Sequence, residues 1–401
     1  MFNSLKFKVI LFGFIFTFFS SFGQSYFLGL FNSSIREALS ITHGQFGSIF
    51  ASATLCSSLL LIWVGKKIDD VNIFKFAFFV TILLSFACFF FSRITSVFLL
   101  FIGIFLMRFS GQGMMSHTAS TTISRYFTRT RGRALSISWF GLSSAEFVMP
   151  VLMVYLLTII DWQNLWIIFS ITVLIVLPIV SFLLIKNLNL DSREANDENK
   201  KEVEIKQWKR REVIKDYRFY IISSNMLAMP WIFTGFAVFQ SFVQTSKGWG
   251  PYVIAQSFMS YSIFSVLTLF LSGFLIDKYS SRKLLIFMNI PLLLSVIVLF
   301  SFDTPVTAFV FLGLVGISNG FANILGSSTW AELYGVKYLG SIKALTTSLM
   351  VFATAFGTAL FGYLIDKGFT VGDIAVVSGT YIFISLILLF SVRKKLNPVI
   401  I

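Results

Sequence analysis

The sequence predicts an all-α integral membrane protein with twelve transmembrane helices in two six-helix halves and both termini in the cytoplasm. Three observations lead there. The first is composition: 56% of the 401 residues are apolar, 12% are charged and 50 are Phe. A soluble domain carries about 25% charged residues, so the solvent for this surface is lipid. The second is a set of apolar stretches, each long enough to cross roughly 30 Å of hydrocarbon. The third is an internal repeat. Gly65-Lys-Lys-Ile-Asp69 returns as Gly273-Phe-Leu-Ile-Asp277, and Tyr126-x-x-Arg129-x-x-Gly132 returns as Tyr334-x-x-Lys337-x-x-Gly340, both displaced by 208 positions. Two unrelated motifs with one offset mean that the second half of the chain repeats the first.

The first stretch covers about 7–30, behind Lys6 and Lys8. It is too long for a signal-peptide core, lacks a small-residue cleavage site and holds Ser20, Ser21, Gln24 and Ser25, so it reads as a retained helix of the bundle. The next five fall at about 45–64, 73–92, 96–121, 133–159 and 164–186. A hydrophilic connection follows, and six more stretches lie at about 218–243, 252–276, 283–301, 306–330, 341–365 and 374–392. The organisation is therefore an N-terminal half over 1–186, a linker over 187–217 and a C-terminal half over 218–401. Cys56 and Cys88 both sit inside apolar runs and read as core packing, not as a disulfide or metal site.

Orientation follows from Lys and Arg. One set of loops, together with both termini and the linker, holds 27 of the 32 basic residues. The opposite loops hold four, Arg36, Arg93, Lys247 and Lys367. Basic loops stay in the cytoplasm, which makes this a multi-pass protein of the cell membrane. The net charge of +14 thus faces a membrane surface, and no nucleic-acid partner is implied. The linker carries eight basic and eight acidic residues, but Lys206-Gln-Trp-Lys-Arg-Arg211 within it is basic and includes Trp208. It reads as a solvated connection ending in a short helix on anionic headgroups.

The strongest local signal is Gly273-Phe-Leu-Ile-Asp277-Lys278-Tyr-Ser-Ser-Arg282-Lys283. It resembles the cytoplasmic-loop signature of the major facilitator superfamily, departing from it at the second glycine, where Ser280 stands. The copy Gly65-Lys-Lys-Ile-Asp69 keeps the glycine and aspartate. Tyr126-Phe-Thr-Arg-Thr-Arg131-Gly132-Arg133, then Gly141 and Pro150, is similar to the pattern of loop four–five and span five in that superfamily. Within it the monocarboxylate and oxalate/formate carriers are the nearest look-alikes, and 330–343 is similar to those branches too. The resemblance implies a secondary transporter working by alternating access. It also implies a conformational lock in which Asp69 faces the start of span eleven and Asp277 the start of span five, with Gly65, Arg133, Gly273, Lys278 and Arg282 around them. Glycine in that motif admits a neighbouring helix, and the aspartate opposes the positive end of a helix dipole.

Two charges lie inside spans: Arg108 in span four and Glu146 in span five. At about 1.5 Å per residue, they stand about 24 Å and 20 Å from the cytoplasmic ends of their helices. An ionisable group at mid-membrane costs at least ~2.5–3.5 kcal/mol and marks a functional site by default. Two readings stay open: a pair that fastens span four to span five, or an anion receptor at Arg108 with proton coupling at Glu146. Other polar residues fall on spans one, four, seven and ten, which line the cavity in the superfamily. Gln24, Tyr26, Asn225, Gln240, Asn319 and Asn323 are the substrate-binding candidates beside Arg108. His117, nine residues past Arg108, is half a turn out of phase with it on an α-helix.

No nucleophile elbow, metal-spaced cluster or phosphate loop occurs in the sequence, so neither enzyme activity, catalytic residues, a metal nor a cofactor is expected. Uphill transport then draws on an ion or solute gradient. The expected partners are the bilayer and a small solute, with protons, and no obligate protein partner. Proton-linked organic anion transport is the leading expectation. The alternatives are a facilitator or exporter of a neutral or aromatic solute, such as a vitamin or drug-like compound, and a non-transporting sensor on the same fold.

Overall fold

Lipid gives a backbone N–H or C=O no partner, so each apolar stretch closes its own hydrogen-bond ladder as a helix. The computed structural model describes residues 4–127, 130–186 and 206–398; the side chains of Asp69, Arg131, Asp277 and Ser327 lie outside the described set. Among the described residues, twelve helices are long and apolar enough to span a bilayer. Spans one to six are Leu5–Gly29, His43–Ile68, Ile73–Phe91, Val97–Tyr126, Gly132–Leu156 and Trp162–Ile185. Spans seven to twelve are Tyr217–Val238, Val253–Ile276, Ser281–Ser301, Pro305–Tyr334, Leu339–Asp366 and Val371–Lys395.

Several starts are written in the sequence. Thr42 and Gln45 form a capping box at span two, and Thr370 with Asp373 does the same at span twelve. Asn72 and Ser96 accept the first free N–H groups of spans three and four. These side chains satisfy donors that the helix cannot.

The chain divides into two compact units, Met1–Asn199 and Lys200–Ile401. In the first, span one packs on five, two on four, and three on six. In the second, seven packs on eleven, eight on ten, and nine on twelve. The pairing is the same when six is added to each number, so the repeat seen in the sequence is also a repeat of packing. Apolar burial does not drive helices together in lipid; small residues and inter-helix hydrogen bonds do. A Cβ on Gly141 of span five would overlap the Phe14 carbonyl of span one. In the second unit a Cβ on Gly357 of span eleven would overlap the Trp231 carbonyl of span seven. Spans three and six exchange Ser85 Oγ to Ser170 O at 2.9 Å and Ser170 Oγ to Ser85 O at 2.8 Å.

Two expectations change. Cys88 is buried, but Cys56 is exposed on the outer face of its helix and packs no core. Trp208 docks on protein: its backbone N–H donates to the Tyr334 carbonyl at 3.0 Å, and its ring meets Tyr334 edge-on at 5.3 Å. Lys206 Nζ stands 4.3 Å from the same ring and pairs with Glu212 at 2.9 Å. The end of the linker is thus strapped to the end of span ten through Trp208 and Tyr334.

Candidate functional site

Span one is interrupted at mid-length. An α-helix over Ser4–Ser20 tightens to a 3₁₀ turn over Ser21–Gly23, and Gln24 leaves helical geometry at φ −78°, ψ 150°. A short helix, Ser25–Gly29, then restarts the span. Span four, which faces the break, widens to a π-helix over Arg108–Met115. The two irregularities meet at glycines. A Cβ on Gly23 would overlap Met107 O and Gln112 N, and one on Gly111 would overlap Gly23 N. Irregular backbone at membrane depth is tolerated only where protein satisfies it, and π turns concentrate at functional sites.

Arg108 supplies that satisfaction. Its Nη1 donates to the freed Gly23 carbonyl and to Ser25 Oγ, each at 3.1 Å. The Phe50 ring of span two lies 5.3 Å from the guanidinium carbon and covers one face. The residue is 3% exposed, and its Nε–H has no partner among the described residues. Glu146, on span five, is also buried. It forms no ion pair with Arg108 among the described residues. Span five, which carries it, packs against the interrupted part of span one that holds Ser21 and Tyr26. Agreement in depth therefore does not bring the two charges together. The break in span one contacts both of their spans, and with no ion pair between the two charges the reading of an Arg108–Glu146 pair as a fastener of two spans does not hold.

Of the candidates named from sequence, the structure brings Arg108, Gln24 and Tyr26 to this one place. Those of the second unit have separate partners, though Asn319 and Asn323 lie one turn apart on span ten. Asn225 is buried, with Nδ2 toward Ser385 Oγ at 3.4 Å and its carbonyl accepting from Asn289 Nδ2 at 2.5 Å. Gln240 donates to Ala237 O at 2.9 Å and borders a small apolar cavity with Phe236, Trp249 and Phe311. Asn319 donates to Ser265 Oγ at 2.9 Å, across spans ten and eight, while Asn323 is exposed. Ser25, Gly23 and Phe50 were not singled out by sequence; the paired glycines at 23 and 111 and the Gly-Gln-Gly run after Arg108 were the available signal.

The π-helix also corrects the phase of His117. Each π turn absorbs about one extra residue, which rotates His117 toward the face of span four that meets span two. Its Nε2 lies 3.0 Å from the Gly65 carbonyl. A carbonyl only accepts, so this nitrogen carries the proton. Arg125 Nη1 donates to Ile68 O at 3.0 Å, so two span-four side chains hold the turn Gly65–Asp69.

Around the loop between spans eight and nine the lock residues have partners of another kind. A Cβ on Gly273 would meet nothing within 4 Å, so this glycine admits no close helix within its unit. Ser280 adopts φ +70°, ψ 149°. Glu332 of span ten accepts from Ser281 N at 2.8 Å and from Arg282 Nε at 3.2 Å, capping span nine with a carboxylate. Arg282 Nη1 reaches on to Leu396 O at 2.6 Å and Asn397 Oδ1 at 3.0 Å. Arg218, paired with Asp216, donates to Lys395 O and Asn397 O, so two arginines clasp the C-terminal segment. Lys278 and Arg133 are exposed. Asp69 and Asp277, the two carboxylates of the expected lock, fall outside the described side chains.

A family model described as Major Facilitator Superfamily matches residues 13–357 and 221–400. Among solved structures, the chain is similar to a bacterial homologue of the human lysosomal transporter Spinster, solved inward-facing and unoccupied. The TM-score is 0.75 at 12% identity, covering 98% of each chain. It is similar also to the nucleoside transporter NupG, with a TM-score of 0.70 at 15% identity over 98% of this chain and 99% of that one. At these identities the likeness is one of fold. No curated protein matches the chain.

Proposed function

The chain belongs to the major facilitator superfamily, a family of alternating-access secondary transporters, and we propose that it carries a small organic anion together with a proton. In this reading the substrate carboxylate is held at Arg108 and the proton at Glu146. The observation that carries it is that both groups are buried at mid-span and neither neutralises the other. Burying an ionisable group in the membrane costs several kcal/mol unless something meets it, with insertion scales giving about 2.5–3.5. Among the described residues Arg108 donates from Nη1 while its Nε–H has no hydrogen-bond partner. The guanidinium edge that includes Nε–H is the one a planar carboxylate grips through two parallel hydrogen bonds.

The monocarboxylate and oxalate/formate branch stays part of this proposal; the solved structures that the chain resembles carry other names. Substrate contacts from Gln24, Asn225, Gln240, Asn319 and Asn323, the cytoplasmic placement of both termini, the half boundaries at 186 and 218, and the Asp69/Asp277 lock belong to the same proposal. A second reading, a neutral aromatic solute, is favoured by one observation: Arg108 already has a structural task at the break in span one. The fold shared with a nucleoside transporter fits it.

The experiment is uptake by proteoliposomes with an imposed pH gradient, using radiolabelled formate, lactate, oxalate, benzoate and uridine. Anion uptake that Arg108→Ala abolishes and Arg108→Lys weakens supports the proposal, because lysine lacks the planar fork. Uptake of uridine alone, unaffected by Arg108→Lys, selects the second reading. Glu146→Gln is expected to leave counterflow exchange intact while removing the response to the pH gradient.

A further inference from the structure

Ser25 and Tyr26 are consecutive residues of the short helix, one bonded to Arg108 and the other on an element packed against the span of Glu146. Ser25 Oγ accepts from Arg108 Nη1 at 3.1 Å, beside the Gly23 carbonyl at the same distance. Tyr26 is buried on the short helix, which packs against span five, the helix that carries the buried Glu146. The charges themselves do not touch, so what connects them is the interrupted stretch of span one from Ser21 to Tyr26. That stretch is poorly held by its own ladder. Gln24 is extended, and the helix that follows it has five residues. A helix so short has no stability of its own and takes its position from the side chains that hold it.

We propose that the interrupted segment of span one is the coupling element between the anion site and the proton site, with Ser25 as the positioning residue that ties Arg108 to Tyr26. The inference rests on the anion reading above. A carboxylate arriving at the free edge of Arg108 competes for the guanidinium and loosens its hold on Ser25 and the Gly23 carbonyl. The short helix then resettles, Tyr26 moves with it, and the surroundings of the Glu146 carboxylate change, so that it takes a proton from water. Linkage makes this reciprocal: protonation of Glu146 changes anion affinity by the same factor.

Other titratable groups are placed where they do not substitute for Tyr26. Within the first unit, among the described residues, the elements packed most on span five are span one with its short helix and the later part of span four. They carry Lys6 and Lys8 near the start of span one, and His117, Arg125 and Tyr126 on span four, Tyr126 packing with Val9 and Ala134 at the start of span five, twelve residues before Glu146. His117 and Arg125 are engaged with the carbonyls of Gly65 and Ile68. Arg133 lies exposed at the start of span five itself.

The test is calorimetric titration of the purified full chain in nanodiscs with formate, lactate, oxalate and benzoate, at pH 5.5 and pH 8. The parent is expected to bind at least one of them with an affinity that changes by about fivefold or more between the two pH values, the usual range of a coupling between sites. Ser25→Ala should still bind that probe but with less than about twofold change, and Ser25→Thr should restore the dependence. Tyr26→Phe, which keeps the ring and removes the hydroxyl, should flatten it as well, and so provides the reading if Ser25→Ala does not fold. A dependence that survives both Ser25→Ala and Tyr26→Phe but is lost in Glu146→Gln overturns the inference and leaves the anion reading standing. A parent that binds an anion equally at both pH values also overturns it. A parent that binds none of the four removes the anion reading, and this inference falls with it.

Discussion

Ser280 stands where the superfamily signature has glycine, and its backbone shows why glycine is used there. At φ +70°, ψ 149° the residue occupies a region that is nearly reserved for glycine and costs about 1–3 kcal/mol for other residues. Ser280→Gly should therefore stabilise the protein by about 1 kcal/mol, after allowing for the extra freedom glycine gains in the unfolded chain. A raised thermal midpoint in detergent checks it; an unchanged or lower one would show that the turn relaxes around serine without strain. The neighbouring contacts explain how the strain is borne. Glu332 holds the N–H groups that follow the turn, and Arg282 ties that carboxylate to the C-terminal segment. A departure from the motif was thus visible in the sequence, while its physical meaning needed a backbone angle.

The interruption of span one and the π-helix of span four form a single joint, because each fits the irregularity of the other. Gly23 and Gly111 are the contact, and no side chain fits between the two backbones. Gly23→Ala and Gly111→Ala should each destabilise the N-terminal unit by about 1–3 kcal/mol, the usual effect of forced overpacking. Gly132→Ala is the control, since its Cβ would meet nothing within 4 Å. Equal denaturation profiles for Gly23→Ala and Gly132→Ala would contradict the joint. Little of this was legible beforehand. Hydrophobic length fixes that a span exists, but a break is a local failure of the helix whose compensation comes from another span, here Arg108 donating to a carbonyl 85 residues earlier in the chain. The π-helix has the same character: it shifts the phase of everything after it, which is why His117 meets span two and not the opposite face.

Across the whole protein, the repeat appears as a shared pattern of helix pairing in both units, and the distribution of basic residues sets the proposed orientation. Single-cysteine labelling tests that orientation, in a background where the exposed Cys56 is replaced by Ser. The outer probe belongs at exposed Ser246, because neighbouring Lys247 is occupied by the carbonyls of Leu299 and Phe302 and by Asp303. The inner probe belongs at exposed Arg211. An impermeant thiol reagent added outside intact cells should reach Cys at 246 and miss Cys at 211; the opposite result inverts the topology.

Class, number of spans, the repeat and the depth of the charged residues follow from the chain read in one dimension. Each depends on apolar length or on position along a helix of constant rise, and neither quantity needs to know a neighbour. The partners of the polar residues do need one. Asn225, Gln240 and Asn319 each donate an amide N–H to whatever hydroxyl or backbone carbonyl their unit presents, as polar groups in lipid seek partners. Arg108 and Glu146, close in depth, were natural partners on a linear reading. In the folded unit Arg108 instead grips Gly23 and Ser25 of the broken helix, which also contacts span five. Which backbone meets a side chain is set by how whole spans cross, and those crossings are decided by glycines and serines that carry no charge and little hydropathy.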